Sequence, residues 1–292
     1  MKAISFNSLE SYDPSEYNRF YFMHLPKSAG TRLTAKNAPG SHDEQAILPN
    51  GKTFKKLNHA YCIPNVGRQI FNYDDYAAFK QKGYLFHYAF DIPYFGNEDT
   101  LTFSIIRNPF DMLCSYHHHY YAPDHNGWGG CNQLHDFNNF EDFIRGYCSN
   151  EISGFNTITR NNFSGWHMPI IHNFLYAQMF DSNGDCHVNF LIRYENMVDG
   201  LKKMNERFGL TFDYDKYDTV FDNSWRSNQS KKNKNYREYY TPELIKLVEE
   251  KCSRELSLFG YDFEGPTDKN TFLDPSEIKY NPLTNQLISS DS

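Results

Sequence analysis

The run Leu101-Thr102-Phe103-Ser104-Ile105-Ile106 passes directly into Arg107-Asn108-Pro109-Phe110-Asp111, and this junction narrows the fold more than any other stretch. The first segment is apolar, uncharged and short, which is the pattern of a buried strand. In the second, Asn108 suits a helix N-cap, Pro109 the first helical position and Asp111 the third. The same alternation recurs along the chain. Arg19 to Leu25 reads as a strand, Pro26 to Arg32 as a tight small-residue turn, and Leu33 to Lys36 as the start of a helix. Tyr84 to Phe90 and Val188 to Ile192 read as further strands. Helical spacing appears at Phe140, Phe143, Ile144 and Tyr147, and again at Ile170, Ile171, Phe174 and Leu175. It returns at Met197, Leu201, Met204 and Phe208, where Gly209 ends it. A last helix runs from Thr241-Pro242 to Phe259 and closes at Gly260. Strands alternating with helices predict an α/β fold with a mainly parallel sheet.

Residues 1–18 read as a polar lead-in, 19–263 as one domain and 264–292 as a polar tail. Residues 37–53 are turn-rich and are expected to be a surface loop. With 29 Lys and Arg against 36 Asp and Glu, the net charge is −7. That balance argues against a nucleic-acid or anionic-membrane binder, so an anion site has to be a local positive spot. The six cysteines form no Cys-x-x-Cys pair and are expected to be free thiols, with no zinc knuckle or disulfide scaffold. Neither a secretory leader nor an apolar run of bilayer length is visible, which predicts a cytoplasmic or otherwise soluble chain.

In a parallel sheet, ligands sit at the carboxyl ends of strands. Here the first strand ends in Pro26-Lys27-Ser28, the second near His87, the third in Arg107 and the fourth in Arg193. The turn Pro26-Lys27-Ser28-Ala29-Gly30-Thr31-Arg32 suits an anion: helix-start N–H groups, the Lys27 charge and the Ser28 and Thr31 hydroxyls can converge there. It resembles a shortened phosphate loop without the full Gly-x-x-x-x-Gly-Lys-Ser/Thr spacing. Arg107 at a strand end and Ser115 two turns into the next helix can clamp a second phosphate. Two such sites suit a nucleotide with phosphates at both ends of its ribose.

These motifs resemble those of sulfotransferases that use 3′-phosphoadenosine 5′-phosphosulfate (PAPS). His24-Leu25-Pro26-Lys27-Ser28-Ala29-Gly30-Thr31 is similar to the family's 5′-phosphosulfate loop, with Ala29 where many relatives have Gly. Ser104-Ile105-Ile106-Arg107-Asn108-Pro109 through Ser115-Tyr116 is similar to its 3′-phosphate element. Phe190 to Met197 and Asn235 to Tyr240 resemble the carbohydrate (heparan-type and bacterial) branch. The resemblance spans residues 19–262 and implies a P-loop-like three-layer fold that needs no metal. It implies that Lys27 stabilises the leaving group and that Pro26 to Arg32 hold the 5′-phosphosulfate. Arg107 and Ser115 would hold the 3′-phosphate, and a basic loop of Lys231, Lys232, Lys234 and Arg237 would close over the nucleotide, leaving 3′-phosphoadenosine 5′-phosphate (PAP) as product.

The acceptor implied is a hydroxyl or amine, most naturally on a saccharide. His87 is the candidate general base and His59 the second choice. His119, Trp128, Trp166 and His167 are candidate acceptor contacts. Arg193 and Glu195 fall in a motif read as structural. His117-His118-His119 invites a metal reading, but consecutive helical residues point in different directions, so it is set aside. Two alternatives stay open: a P-loop nucleotide kinase, which lacks a full phosphate loop here, and a nucleotide-binding protein without turnover.

Overall fold

A computed structural model describes residues 9–25, 28, 45–47, 51–58, 99–118, 139–149, 176, 188–210, 235–269, 272–273, 280–281 and 286–287. Six strands make the main sheet: β1 (Arg19–His24), β2 (Gln45–Ile47), β3 (Thr53–Asn58), β4 (Thr100–Ile106), β5 (Phe190–Arg193) and β8 (Phe272–Leu273). Their order is β2-β3-β1-β4-β5-β8. The inner strands β3, β1, β4 and β5 are mutually parallel, and β2 and β8 run antiparallel at the two edges. Two short pairs, β6 (Tyr261–Asp262) with β7 (Gly265–Pro266) and β9 (Tyr280–Asn281) with β10 (Gln286–Leu287), complete the described strands.

Five helices flank the sheet: α1 (Pro109–Tyr116), α2 (Phe140–Cys148), α3 (Met197–Phe208), α4 (Pro242–Lys251) and α5 (Ser253–Phe259). Side-chain alternation along the strands divides the core into two layers. On one face Phe20, Phe22, Phe103, Ile105, Phe190 and Ile192 pack against Met197, Leu201, Met204 and Phe208 of α3. On the other, Leu25, Ile106 and Leu191 pack with α1, α2, α4 and α5. The expected α/β architecture with a mainly parallel sheet flanked by helices is therefore present. Among the described residues no helix is long and apolar enough to cross a membrane.

Local signals formed the elements they suggested. Asn108 caps α1 by accepting from the Phe110 N–H at 3.0 Å. Gly209 ends α3 at φ 62°, a left-handed value that favours glycine. Cys114, Cys148 and Cys252 are free thiols.

Other expectations are corrected. The stretch expected as loop over 37–53 contains β2, which pairs antiparallel with β3 across a connection holding Gly51 at φ 80°. The single helix expected from Thr241 to Phe259 breaks at Cys252 (φ −101°, ψ 19°) into α4 and α5. The spacing of Val248, Cys252, Leu256 and Phe259 stays helical through the break, so periodicity does not reveal it. The lead-in is docked as well as polar: Leu9 is buried, Tyr12 Oη donates to the Asn189 carbonyl at 2.6 Å, and Arg207 donates to the Glu10 carbonyl at 2.9 Å. Chain beyond 264 supplies the edge strand β8 and a carboxylate, Asp268, that neutralises the fully buried Arg193. The strand expected over Tyr84–Phe90 lies outside the described residues.

Gly260 sits where that ion pair closes, with φ 64°. A Cβ there would lie 2.8 Å from Arg193 Nη2 and 3.0 Å from Asp268 Oδ2, whereas one at Gly51 would meet nothing within 4 Å. Gly51→Ala is expected to cost about 1 kcal/mol of backbone strain. Gly260→Ala is expected to cost about 3 kcal/mol or more, because a buried ion pair must also move. Urea unfolding of the two variants measures the difference; equal losses would mean that the Arg193 pair yields freely.

Candidate functional site

Because β4 lies between β1 and β5 and all three are parallel, their carboxyl ends share one edge, with neighbours about 4.8 Å apart. Two of the expected anion contacts stand on this edge. Ser28 follows β1 in a turn closed by its own N–H donating to the Leu25 carbonyl at 3.2 Å. Its side chain is fully buried, and among the described residues its hydroxyl has no hydrogen-bond partner. A buried unsatisfied hydroxyl costs roughly 1–3 kcal/mol, so its presence needs a reason. Arg107 leaves the end of β4, one strand away.

The chain around Arg107 is fixed from several directions. Tyr176 Oη donates to the Arg107 carbonyl. The Asn108 N–H donates to Glu195 Oε1 at 3.0 Å, and Glu195 Oε2 accepts from Tyr261 Oη at 2.8 Å. Asn108 Nδ2 donates to the Asp262 carbonyl at 2.7 Å, and Tyr240 Oη to the Phe110 carbonyl at 2.9 Å. The backbone polar groups at a buried strand-to-helix junction must be paired, and these partners come from Tyr176, from the turn after β5, from Tyr240 ahead of α4 and from the chain after α5.

The Arg107 guanidinium itself lies 4.5 Å over the Tyr194 ring and pairs with Asp111, Nε to Oδ2 at 2.6 Å. Only 11 % of its side chain is exposed. Burial works against its charge, but Asp111, Tyr194 and Glu195 outweigh that effect and hold its pKa above the ordinary arginine value. It stays a cation. Asp111 and Ser115 are four residues apart and so share one face of α1, and Arg107, just ahead of the helix, reaches Asp111 on that face. Ser115 is 5 % exposed. Asp111 stands between the two expected phosphate contacts, a participant not singled out for the site from the sequence, although its i,i+4 spacing from Arg107 was a visible signal.

Beyond Arg107, on the β5 side, a cleft of about 680 Å³ opens between the starts of α1 and α3 and the chain at 236–237 and 264–266. Its wall carries Asp111, Glu195, Asp199 and Glu264 against Lys202 and Arg237. Among these lining residues the four carboxylates outnumber the two cations. Arg237 lies in this wall with Nε on Glu264 Oε2 at 2.9 Å and its guanidinium 4.8 Å from the Tyr236 ring centroid. Burial above all pushes the Tyr236 phenol up to about 12, so it remains a neutral donor to the Phe263 carbonyl.

Arg193 is buried by its pairing with Asp268 and by donating to the Phe259 carbonyl at 2.7 Å, which keeps it off the ligand edge. His118 links α1 to the chain at 236–239: Nδ1 lies 2.8 Å from the Cys114 carbonyl and Nε2 3.1 Å from Tyr239 Oη. Among the described residues no group of three or more His, Cys, Asp or Glu could hold a metal ion. Pro26, Lys27, Ala29, Gly30, Thr31, Arg32, His59, His87, His119, Trp128, Trp166, His167, Lys231, Lys232 and Lys234 lie outside the described residues.

No protein-family model matches the chain, and no curated protein matches it. Among solved structures it is similar to the mouse sulfotransferase SULT7A1 complexed with PAP, at 17 % sequence identity and a TM-score of 0.35. The match covers 85 % of this chain and 88 % of that one.

Ser28→Ala distinguishes a ligand contact from a structural serine. The ligand-free protein should keep its stability or gain up to about 1 kcal/mol in urea unfolding, because an orphaned buried hydroxyl is removed. A loss of 1 kcal/mol or more would assign Ser28 to the scaffold.

Proposed function

We propose that this chain is a PAPS-dependent sulfotransferase that transfers a sulfuryl group to an acceptor hydroxyl (or amine), most naturally on a carbohydrate. The observation that carries the proposal is the pairing of a buried, unsatisfied Ser28 hydroxyl after β1 with the charged Arg107 at the end of β4. A nucleotide with phosphates at both ends of its ribose meets both needs. One phosphate gives the Ser28 hydroxyl an acceptor, and the other gives Arg107 a second anion beside Asp111. A guanidinium has five N–H donors, so it can serve Asp111 and a phosphate together.

In this reading Pro26 to Arg32 cradle the 5′-phosphosulfate and Lys27 stabilises the oxygen that leaves with PAP. Arg107 and Ser115 hold the 3′-phosphate. Lys231, Lys232, Lys234 and Arg237 border the nucleotide, with Arg237 exchanging Glu264 for it. In the transfer, the bond from sulfur to the 5′-phosphate oxygen breaks as the bond to the acceptor oxygen forms. The acceptor proton passes to His87, or to His59 in its place. His119, Trp128, Trp166 and His167 contact the acceptor. Positioning and charge stabilisation supply most of the acceleration, as in phosphoryl transfer.

Calorimetric titration with PAP, with ATP as control, tests the donor site. The wild type should bind PAP and discriminate against ATP. Arg107→Ala and Lys27→Ala should each weaken PAP binding by about 10- to 100-fold, the value of a charged hydrogen bond to phosphate. Failure of the wild type to bind PAP would refute the proposal. Once an acceptor is found, His87→Ala should lower kcat by roughly 10²–10⁴ while leaving PAP affinity intact.

A further inference from the structure

We infer that Glu195 is a positioning residue for the 3′-phosphate site, acting through the Arg107–Asn108 peptide. The inference rests on the donor reading above. Glu195 is the middle residue of the turn Tyr194–Asn196 after β5, the strand paired in parallel with β4 at Ile106↔Arg193. Its carboxylate spans two groups that are distant in sequence. Oε1 takes the Asn108 N–H, the amide that directly follows Arg107, and Oε2 takes the Tyr261 hydroxyl.

A peptide plane is rigid, so fixing the Asn108 N–H also fixes the Arg107 carbonyl. Tyr176 bonds that same carbonyl from the other side. The peptide that follows the Arg107 Cα is thereby held at both its C=O and its N–H, and the Arg107 side chain lies across the Tyr194 ring. Glu195 and Tyr194 are adjacent residues, so one turn supplies both the bracket for the Arg107 backbone and the surface under its guanidinium. Carboxylate-to-amide hydrogen bonds are charge-assisted and shorter-ranged in tolerance than neutral ones, which suits a bracket. Glu195 does not need to touch the ligand for this.

Its charge has the opposite effect. A carboxylate near a phosphate site repels the ligand, so a purely electrostatic bystander would bind PAP better once neutralised. The two roles give opposite signs, and the isosteric neutral variant separates them. Glu195→Gln keeps an acceptor for the Asn108 N–H and removes the charge; Glu195→Ala removes both.

The measurement is the affinity ratio of PAP to adenosine 5′-monophosphate, two ligands that differ only in the 3′-phosphate. Arg107→Ala sets the floor of this ratio, and circular dichroism and thermal unfolding accompany every variant. Glu195→Ala is expected to lower the ratio about tenfold with little change in binding of the monophosphate. Glu195→Gln is expected to restore it to within about threefold of wild type. Tyr261→Phe removes one anchor only, so it should shift the ratio in the same direction by less; it carries the test if Glu195→Ala does not fold. An unchanged ratio in Glu195→Ala and Tyr261→Phe overturns the inference, as does a rise in PAP affinity in both Glu195 variants. Equal loss of both ligands, tracking a drop in thermal midpoint, also overturns it and makes Glu195 scaffold alone. If wild type shows no preference for PAP, or Arg107→Ala leaves the ratio intact, the donor reading itself fails and this inference falls with it.

Discussion

A guanidinium that reaches no solvent has to find its counter-charge inside the protein, and Arg193 at the end of β5 is in that position. Its partner, Asp268, arrives from 75 residues further along. The pairing brings the chain after α5 back across the end of β5, with Gly260 turning in the left-handed region because a side chain would strike the pair. It carries the Tyr261 hydroxyl to Glu195 and the Asp262 carbonyl to Asn108. A desolvated ion pair gives little net stability, while breaking one is expensive, so its effect is to exclude other paths for this part of the chain.

The ligand edge inherits that exclusion. Arg107 is reached through a junction whose backbone groups are held by Tyr176, Glu195 and Tyr240 and whose Asn108 side chain is held by the Asp262 carbonyl, and none of these is close to it in sequence. Charge is distributed along the edge in a graded way. The side of Ser28 and Arg107 offers a hydroxyl and a cation, and the side of Asp199 and Glu264 offers carboxylates.

What the sequence made legible was short-ranged. Asn108-Pro109 announces a helix start, Gly209 a helix end, and Leu101–Ile106 a buried strand because its apolar run is unbroken. Ser28 and Arg107 were placed on one edge because the alternation of elements implies parallel strands. The Thr53–Asn58 strand escaped notice since Lys55 and Lys56 interrupt its apolar character, and its strand identity comes from pairing with β1 and β2. Glu195 and Arg193 were recognisable as a motif, but their partners were not: a charged residue in a sequence carries no mark of which distant group it will face. The break at Cys252 was hidden because apolar spacing measures which face is buried and says nothing of a single residue's dihedral angles.

The distance between Arg193 and Asp268 also bears on how the protein is made. Synthesis delivers β1, β4 and β5 well before the residues that neutralise Arg193 and cover the end of β5. Until Asp268 is available, Arg193 lacks its counter-ion and β5 has an unpaired edge where β8 will add. Both features oppose early compaction of this half and expose a template for wrong strand pairing. Completing this end of the sheet therefore waits on a residue 75 positions after Arg193.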